Sequence, residues 1–268
     1  MKVGLSSATL YPANVETTFR VASRLGFDGV EVLITQSNFT RDVERLSGLM
    51  DKYGLPVLAL HAPNVIASSF VWGRNHFRKM FRTLELAHAL NVETIVVHPP
   101  YLVQRGQAKR FVDNVKQLEL DTGLKIAVEN MFYWRRKHKN RQLFGPEWET
   151  IVDNVDSLTI DFSHAALSGF NILNFTKQHI HKTKHIHVSD ATLIPDVPFL
   201  DGIKMPVKDE HLPIGEGSQP IGETLRFLKD VKWNGNLVCE INLHPYNNNP
   251  VVKLRKLKES LNYIRRYV

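Results

Sequence analysis

The chain has 268 residues, 43% of them hydrophobic, and one cysteine, Cys239. That length suits one α/β domain with a large core. A lone thiol excludes an intramolecular disulfide and a thiolate metal cluster, so any zinc must rest on His and carboxylate, and a reducing, cytoplasmic setting is expected. The formal charge of +7 fits polyanionic or phosphorylated partners and equally a generally basic proteome.

Met1 to Leu10 reads as an alternating strand rather than a leader, and no run approaches the roughly 20 apolar residues that cross a bilayer. In chain order, strands are expected near residues 2–10, 28–34, 56–62, 93–98, 124–130, 157–162, 184–190 and 236–243. Helical spacing appears between them: Val15, Phe19 and Ala22; then Phe77, Met80, Phe81, Leu84 and Ala87; and, after the last strand, Leu254, Leu257, Leu261, Ile264 and Val268. Strands such as Thr94-Ile95-Val96-Val97 and Lys125-Ile126-Ala127-Val128 are apolar on both faces, which argues for parallel pairing under a layer of helices. Gly26, Gly54, Gly123 and Gly235 precede strands where left-handed helix caps are needed, and so mark the bottom of a barrel. The architecture expected is a single-domain (β/α)8 TIM barrel over residues 1–268, with long connections at 131–146 and 191–218 on the face that carries active sites.

Nine residues stand at or beyond the C-terminal ends of these strands: His61, His98, Glu129, Asp161, His164, His187, Asp209, His211 and Glu240. A single histidine at a strand end is ordinarily a core or capping residue. Six consecutive strands finishing in His, Glu or Asp instead point to metal ions held through nitrogen and oxygen, Zn²⁺ first and Mn²⁺ second. Asp161 and His164 are three apart, able to address different ions, and Asp209 and His211 are two apart on a loop. His185 shares a strand face with His187 but belongs to the barrel interior, and Asp190 is expected to orient His187. Gly215-Glu216-Gly217 reads as a constrained turn, or as a phosphate cradle near a helix N-terminus. Trp134, Arg135, Arg136, Lys137, Lys139 and Arg141 interleave cations with an aromatic, with His138 among them, as a phosphate backbone and unstacked bases require; the plain alternative is a solvated loop.

These motifs, from His61-Ala62-Pro63 and Val97-His98-Pro99 through Glu129-Asn130 and Asp161-Phe162-Ser163-His164-Ala165 to His187-Val188-Ser189-Asp190 and Asp209-Glu210-His211, resemble the xylose-isomerase-like barrel superfamily along essentially the whole chain. That superfamily includes endonuclease IV and many sugar isomerases and epimerases. Resemblance to endonuclease IV implies three zinc ions: one on His61, His98 and Glu129; one bridged by Glu129 and held by Asp161, His187 and Glu240; one on His164, Asp209 and His211. Resemblance to the isomerases implies a single ion at Glu129, Asp161, His187 and Glu240, with the two glutamates moving protons. Where endonuclease IV carries a DNA wedge after the first histidine, this chain has Asn64 and Val65, and after Glu129 it has Met131-Phe132-Tyr133-Trp134 in place of a glycine-rich turn.

The leading expectation is therefore a metal-dependent phosphodiesterase with two or three Zn²⁺ ions acting on DNA at abasic sites, Glu129 and Glu240 being catalytic. The alternative is an isomerase or epimerase of a small sugar or sugar phosphate, in which Glu129 and Glu240 flank an α-hydroxy carbonyl. A non-catalytic binding protein ranks third, because so many ionisable groups share one face.

Overall fold

The computed structural model describes residues 1–63, 70–101, 110–132, 134–136, 139–141, 148–192, 210–246 and 249–268, with 134–136 and 139–141 described for their backbone. Strands β1 (Lys2–Ser6), β2 (Gly29–Leu33), β3 (Val57–His61), β4 (Thr94–Val97), β5 (Lys125–Glu129), β8 (Leu158–Asp161), β9 (Thr183–Val188) and β10 (Asn236–Cys239) form a closed barrel. All neighbours pair in parallel, and β1 meets β10 in the register Lys2↔Asn236 to Leu5↔Cys239, which closes the ring as the (β/α)8 reading requires. Strands β6 (Trp134–Arg136) and β7 (Lys139–Arg141) form a separate antiparallel hairpin beyond β5.

The helices are α1 (Val15–Leu25), α2 (Val43–Tyr53), α3 (His76–Ala89), α4 (Phe111–Thr122), α5 (Trp148–Asn154), α6 (Phe162–Leu167), α7 (Ile172–His179), α8 (Ile221–Asp230) and α9 (Pro250–Arg265). No described helix is long and apolar enough to cross a membrane. Local chemistry explains their limits. In α1 the Asn14 side chain accepts from Thr17 N, satisfying one of the first free amides; Val15, Thr18, Phe19 and Ala22 face the barrel; Gly26 ends the helix at φ 88°. The final stripe buries Leu257, Leu261 and Ile264 and leaves Leu254 and Val268 half-buried.

Three expectations need correction. First, β1 stops at Ser6, because the Ser6 hydroxyl accepts from Ala8 N and turns residues 7–10 into a short 3₁₀ helix. Second, α3 does not bury its full aromatic stripe: Phe77 and Phe81 are 43% and 44% exposed, and polar residues take part of the inner face instead. His76 Nε2 donates to His98 O at 2.8 Å and Lys79 Nζ to Pro63 O at 2.7 Å, so these buried donors are matched by backbone carbonyls. Third, Gly26, Gly54 and Gly123 are left-handed caps but Gly235 is not; Lys232 takes the positive φ after α8. Gly235 is demanded by contact, since a Cβ there would lie 2.3 Å from the Trp233 ring and 2.5 Å from Lys184 O.

Candidate metal centre

Barrel closure brings six strand exits into one mouth. His61, Glu129 and Asp161 are the last residues of β3, β5 and β8; His187 is the penultimate residue of β9; His98 and Glu240 directly follow β4 and β10. Asp161 also caps α6, its Oδ1 accepting from His164 N at 2.8 Å, so one carboxylate oxygen starts the helix while Oδ2 is left for the centre. Asn130 ties the neighbouring strand ends together, accepting from Asp161 N at 2.7 Å and donating to Asp161 O at 3.2 Å.

Glu129 stands at the middle. Its Oε2 lies 3.3 Å from His61 Nε2 and 3.1 Å from His98 Nε2, and its Oε1 lies 3.0 Å from His164 Nδ1 and 3.7 Å from His187 Nδ1. Three overlapping donor groups result, each with its ligand atoms within 4.8 Å: His61, His98 and Glu129; Glu129, Asp161 and His187; Asp161, His164 and His211. Glu240 joins the second group, its Oε2 3.0 Å from His187 Nδ1. His211 is held at φ 38°, a left-handed backbone uncommon outside glycine; its N donates to Ser163 Oγ, and its Nδ1 lies 3.1 Å from Glu240 O.

Burial and charge set the proton affinities. Burial pushes the Glu129 carboxyl up, but the imidazoles of His98 and His187 and the hydrogen bond from His164 outweigh it and hold it well below the usual range. Asp161 is lowered likewise, against burial, by His164 and His211. Burial pulls the His187 imidazole down, yet Glu240, Glu31 and Glu129 together hold it well above its ordinary value. Glu240 moves the other way: burial dominates and raises its carboxyl.

The donors fit a divalent cation. Asp161 Oδ2, His187 Nδ1 and Glu240 Oε2 are shielded from water and make no hydrogen bond, while His187 Nδ1 lies 3.4 Å from the first oxygen and 3.0 Å from the second. Unsatisfied polar atoms facing one another are costly unless something bridges them, and a cation with oxygen and nitrogen preference does so. Beside Glu240 and His211 opens a cavity of about 240 Å³, with Thr9, Tyr11, Asn242, His244 and Lys253 in its wall.

Eight of the nine expected donors meet here; Asp209 lies outside the described residues, as do Lys137 and His138, Asn64 and Val65, and the side chains of Trp134, Arg135, Arg136, Lys139 and Arg141. The expected role of Asp190 is corrected. Its carboxylate accepts from Ala191, Gly215 and Gln219 N, pinning the 215–219 turn rather than orienting His187. That turn does not present its amides as a phosphate cradle: Gly215 N is spent on Asp190 and Glu216 N on Pro213 O, and Gly217 is needed because a Cβ there would run into the Asp190 carboxylate. Glu31 is the residue that reading the sequence missed. It is wholly buried in β2, with Oε2 2.8 Å from His185 Nε2 and 3.1 Å from His187 Nε2. Its signal was present, a single charge within the apolar run Gly29-Val30-Glu31-Val32-Leu33.

Residues 19–267 match the sequence pattern of a family described as xylose isomerase-like TIM barrel. An uncharacterised protein of Mycobacterium leprae is 32% identical over 287 residues, covering 100% of this chain and 98% of that one. Among solved structures, a D-psicose 3-epimerase with D-tagatose from Clostridium cellulolyticum H10 superposes with a TM-score of 0.71 at 16% identity, covering 100% of this chain and 99% of the other. An AP endonuclease, family 2, from Brucella melitensis superposes with a TM-score of 0.65 at 17% identity, covering 93% and 99%. At such identities the two structures share the fold with this chain, and the fold serves both chemistries.

Proposed function

The chain belongs to the xylose isomerase-like TIM-barrel family, and from that premise we propose that it is a divalent-metal-dependent phosphodiesterase acting at abasic sites in DNA. The observation that carries the reading is Glu129, whose two oxygens face separate pairs of imidazoles. A carboxylate so placed would be able to hold a cation on each oxygen, and a site for one ion has no need of that. Clustered divalent cations supply Lewis acidity, activating water, neutralising phosphate oxygens and stabilising a leaving alkoxide.

The protein's own groups do the rest. His61, His98 and Glu129 would hold one ion, Glu129, Asp161, His187 and Glu240 a second, and His164 and His211, with Asp209 and the shared Asp161, a third; Zn²⁺ suits the His-rich positions and Mn²⁺ the carboxylate-rich one. Glu240, with its raised proton affinity, borders the cavity, where it can hold or return a proton. Trp134, Arg135, Arg136, Lys137, Lys139 and Arg141, on the connection that leaves the mouth end of β5, would carry the DNA backbone and an unstacked base.

One observation favours a second reading. Glu129 and Glu240 both approach His187 Nδ1 yet have opposite proton affinities, and the adjoining cavity is about the size of a monosaccharide. Two carboxyls whose proton affinities are pushed apart, one to take a proton and one to return it, are what a sugar isomerase or epimerase uses.

Elemental analysis of purified protein, followed by assays on abasic duplex DNA and on ketoses, separates the two. More than one ion per chain with nicking of abasic DNA supports the phosphodiesterase. Replacing Arg135, Arg136 and Lys137 by Ala should then leave metal content unchanged and make the slope of log K against log salt shallower by about 2.7, since each phosphate contact contributes about 0.9. One ion per chain, no nicking, and a ketose interconversion abolished by Glu240→Gln would establish the isomerase instead.

A further inference from the structure

Glu31 has no part in the chemistry described above, and a wholly buried carboxylate is retained only when its surroundings satisfy it. It lies one layer beneath the donors: Glu31 pairs with Ala59 of β3, and two residues further on Leu33 pairs with His61. Its Oε1 accepts from the Ser6 hydroxyl at 3.1 Å, and its Oε2 accepts from His187 Nε2 at 3.1 Å. The other nitrogen of the same ring, Nδ1, faces Asp161 Oδ2 and Glu240 Oε2.

We propose that Glu31 is the positioning residue of the metal centre, fixing His187 as the Nε2–H tautomer so that the Nδ1 lone pair is offered to the cation. The inference rests on the metal-binding reading of the mouth. A neutral imidazole carries one N–H, so whichever nitrogen donates leaves the other as the ligand, and a carboxylate acceptor both orients the ring and increases its basicity. Ser6, the last residue of β1, holds the carboxylate from its other side, so β1 and β2, which contribute no donor to the mouth groups, support the metal from below.

A competing arrangement is an interior ion held by Glu31, His185 and His187 themselves, whose ligand atoms also lie within 4.8 Å of one another. Together with a mouth ion on Nδ1, it would require His187 to ligate through both nitrogens and give up the Nε2 proton donated to Glu31. The positioning role needs no such loss.

Zn²⁺ titration in competition with a chromophoric chelator, on wild type, Glu31→Gln and Ser6→Ala, tests the proposal together with the ¹⁵N–¹H spectrum of His187 in Zn²⁺-loaded wild type. Expected are a proton on Nε2, the same number of ions at saturation in all three proteins, and an affinity for one ion lowered roughly 10–100-fold by Glu31→Gln and less by Ser6→Ala. The spectrum and Ser6→Ala decide the matter if Glu31→Gln fails to fold. A proton on Nδ1, or Glu31→Gln binding every ion as tightly as wild type, overturns the positioning role and leaves the metal reading standing. Loss of one whole ion in Glu31→Gln, with the others held at wild-type affinity, makes Glu31 a ligand and also overturns it. Wild type binding no Zn²⁺ would overturn the metal reading and this inference together.

Discussion

At the bottom of the barrel the chain passes from helix to strand through Gly26, Gly54 and Gly123, each at positive φ with open space where a Cβ would stand. At the mouth, six strands end in or next to a His, Asp or Glu side chain, five of them buried and Glu240 half-buried. The bottom needs only backbone conformations that are cheap for glycine. The mouth gathers desolvated carboxylates and imidazoles that a hydrophobic filling would replace at lower cost, unless cations are there to be held. In this fold stability and function are generally placed at opposite ends of the same strands.

The largest effect should come from removing the shared carboxylate. Glu129→Ala leaves His61, His98 and His164 without the charge they face and should cost about 3–5 kcal/mol of stability in the metal-free protein. Elemental analysis should show more than one ion lost, whereas His211→Ala should lose one at most. Equal losses in the two variants would show that Glu129 is not shared between ions.

A second, smaller effect concerns pH. In metal-free protein the raised His187 contributes stability that is present below its ordinary value near 6.5 and disappears as pH rises through its folded value; the lowered Glu129 and Asp161 contribute stability that disappears as pH falls through theirs. A cation held on His187 Nδ1 would displace the proton there, so affinity should rise about tenfold per pH unit for that proton until the folded His187 value is passed. Thermal melts of chelator-treated protein should therefore drop toward alkaline pH while those of metal-loaded protein do not. Parallel melting curves would show that His187 does not carry that proton.

The smallest effect belongs to the bottom. Gly54→Ala forces a side chain into φ 63° and should cost about 1–2 kcal/mol, a few degrees in Tm, with metal content and affinity unchanged. A loss of metal on this substitution would mean that the two ends are coupled.

The mouth was readable along the chain because continuous apolar strands end abruptly in metal-binding residue types, and a parallel barrel must bring such ends together. Glu31 escaped because it sits in the middle of a strand, where the eye looks for core, although a charge between Val30 and Val32 was itself the signal. Phe77 and Phe81 misled because helical spacing defines a stripe but not its phase, and the buried face of α3 also takes Lys79 and His76, which bond the carbonyls of Pro63 and His98. Asp190 misled because nearness in sequence to His187 says nothing of which amides the returning 215–219 turn will present.

By itself the sequence determined the eight-fold alternation, the parallel pairing and the donor types at the strand exits, all properties of local pattern: hydrophobic period, strand length and the abruptness of each strand's end. Tertiary structure alone decided that Glu129 turns its two oxygens to different histidines, that Glu31 lies under His187, and that Asp190 is spent on a turn. Those are relations between side chains far apart in the chain, and their distances follow from barrel register and the burial of charge rather than from spacing along the sequence.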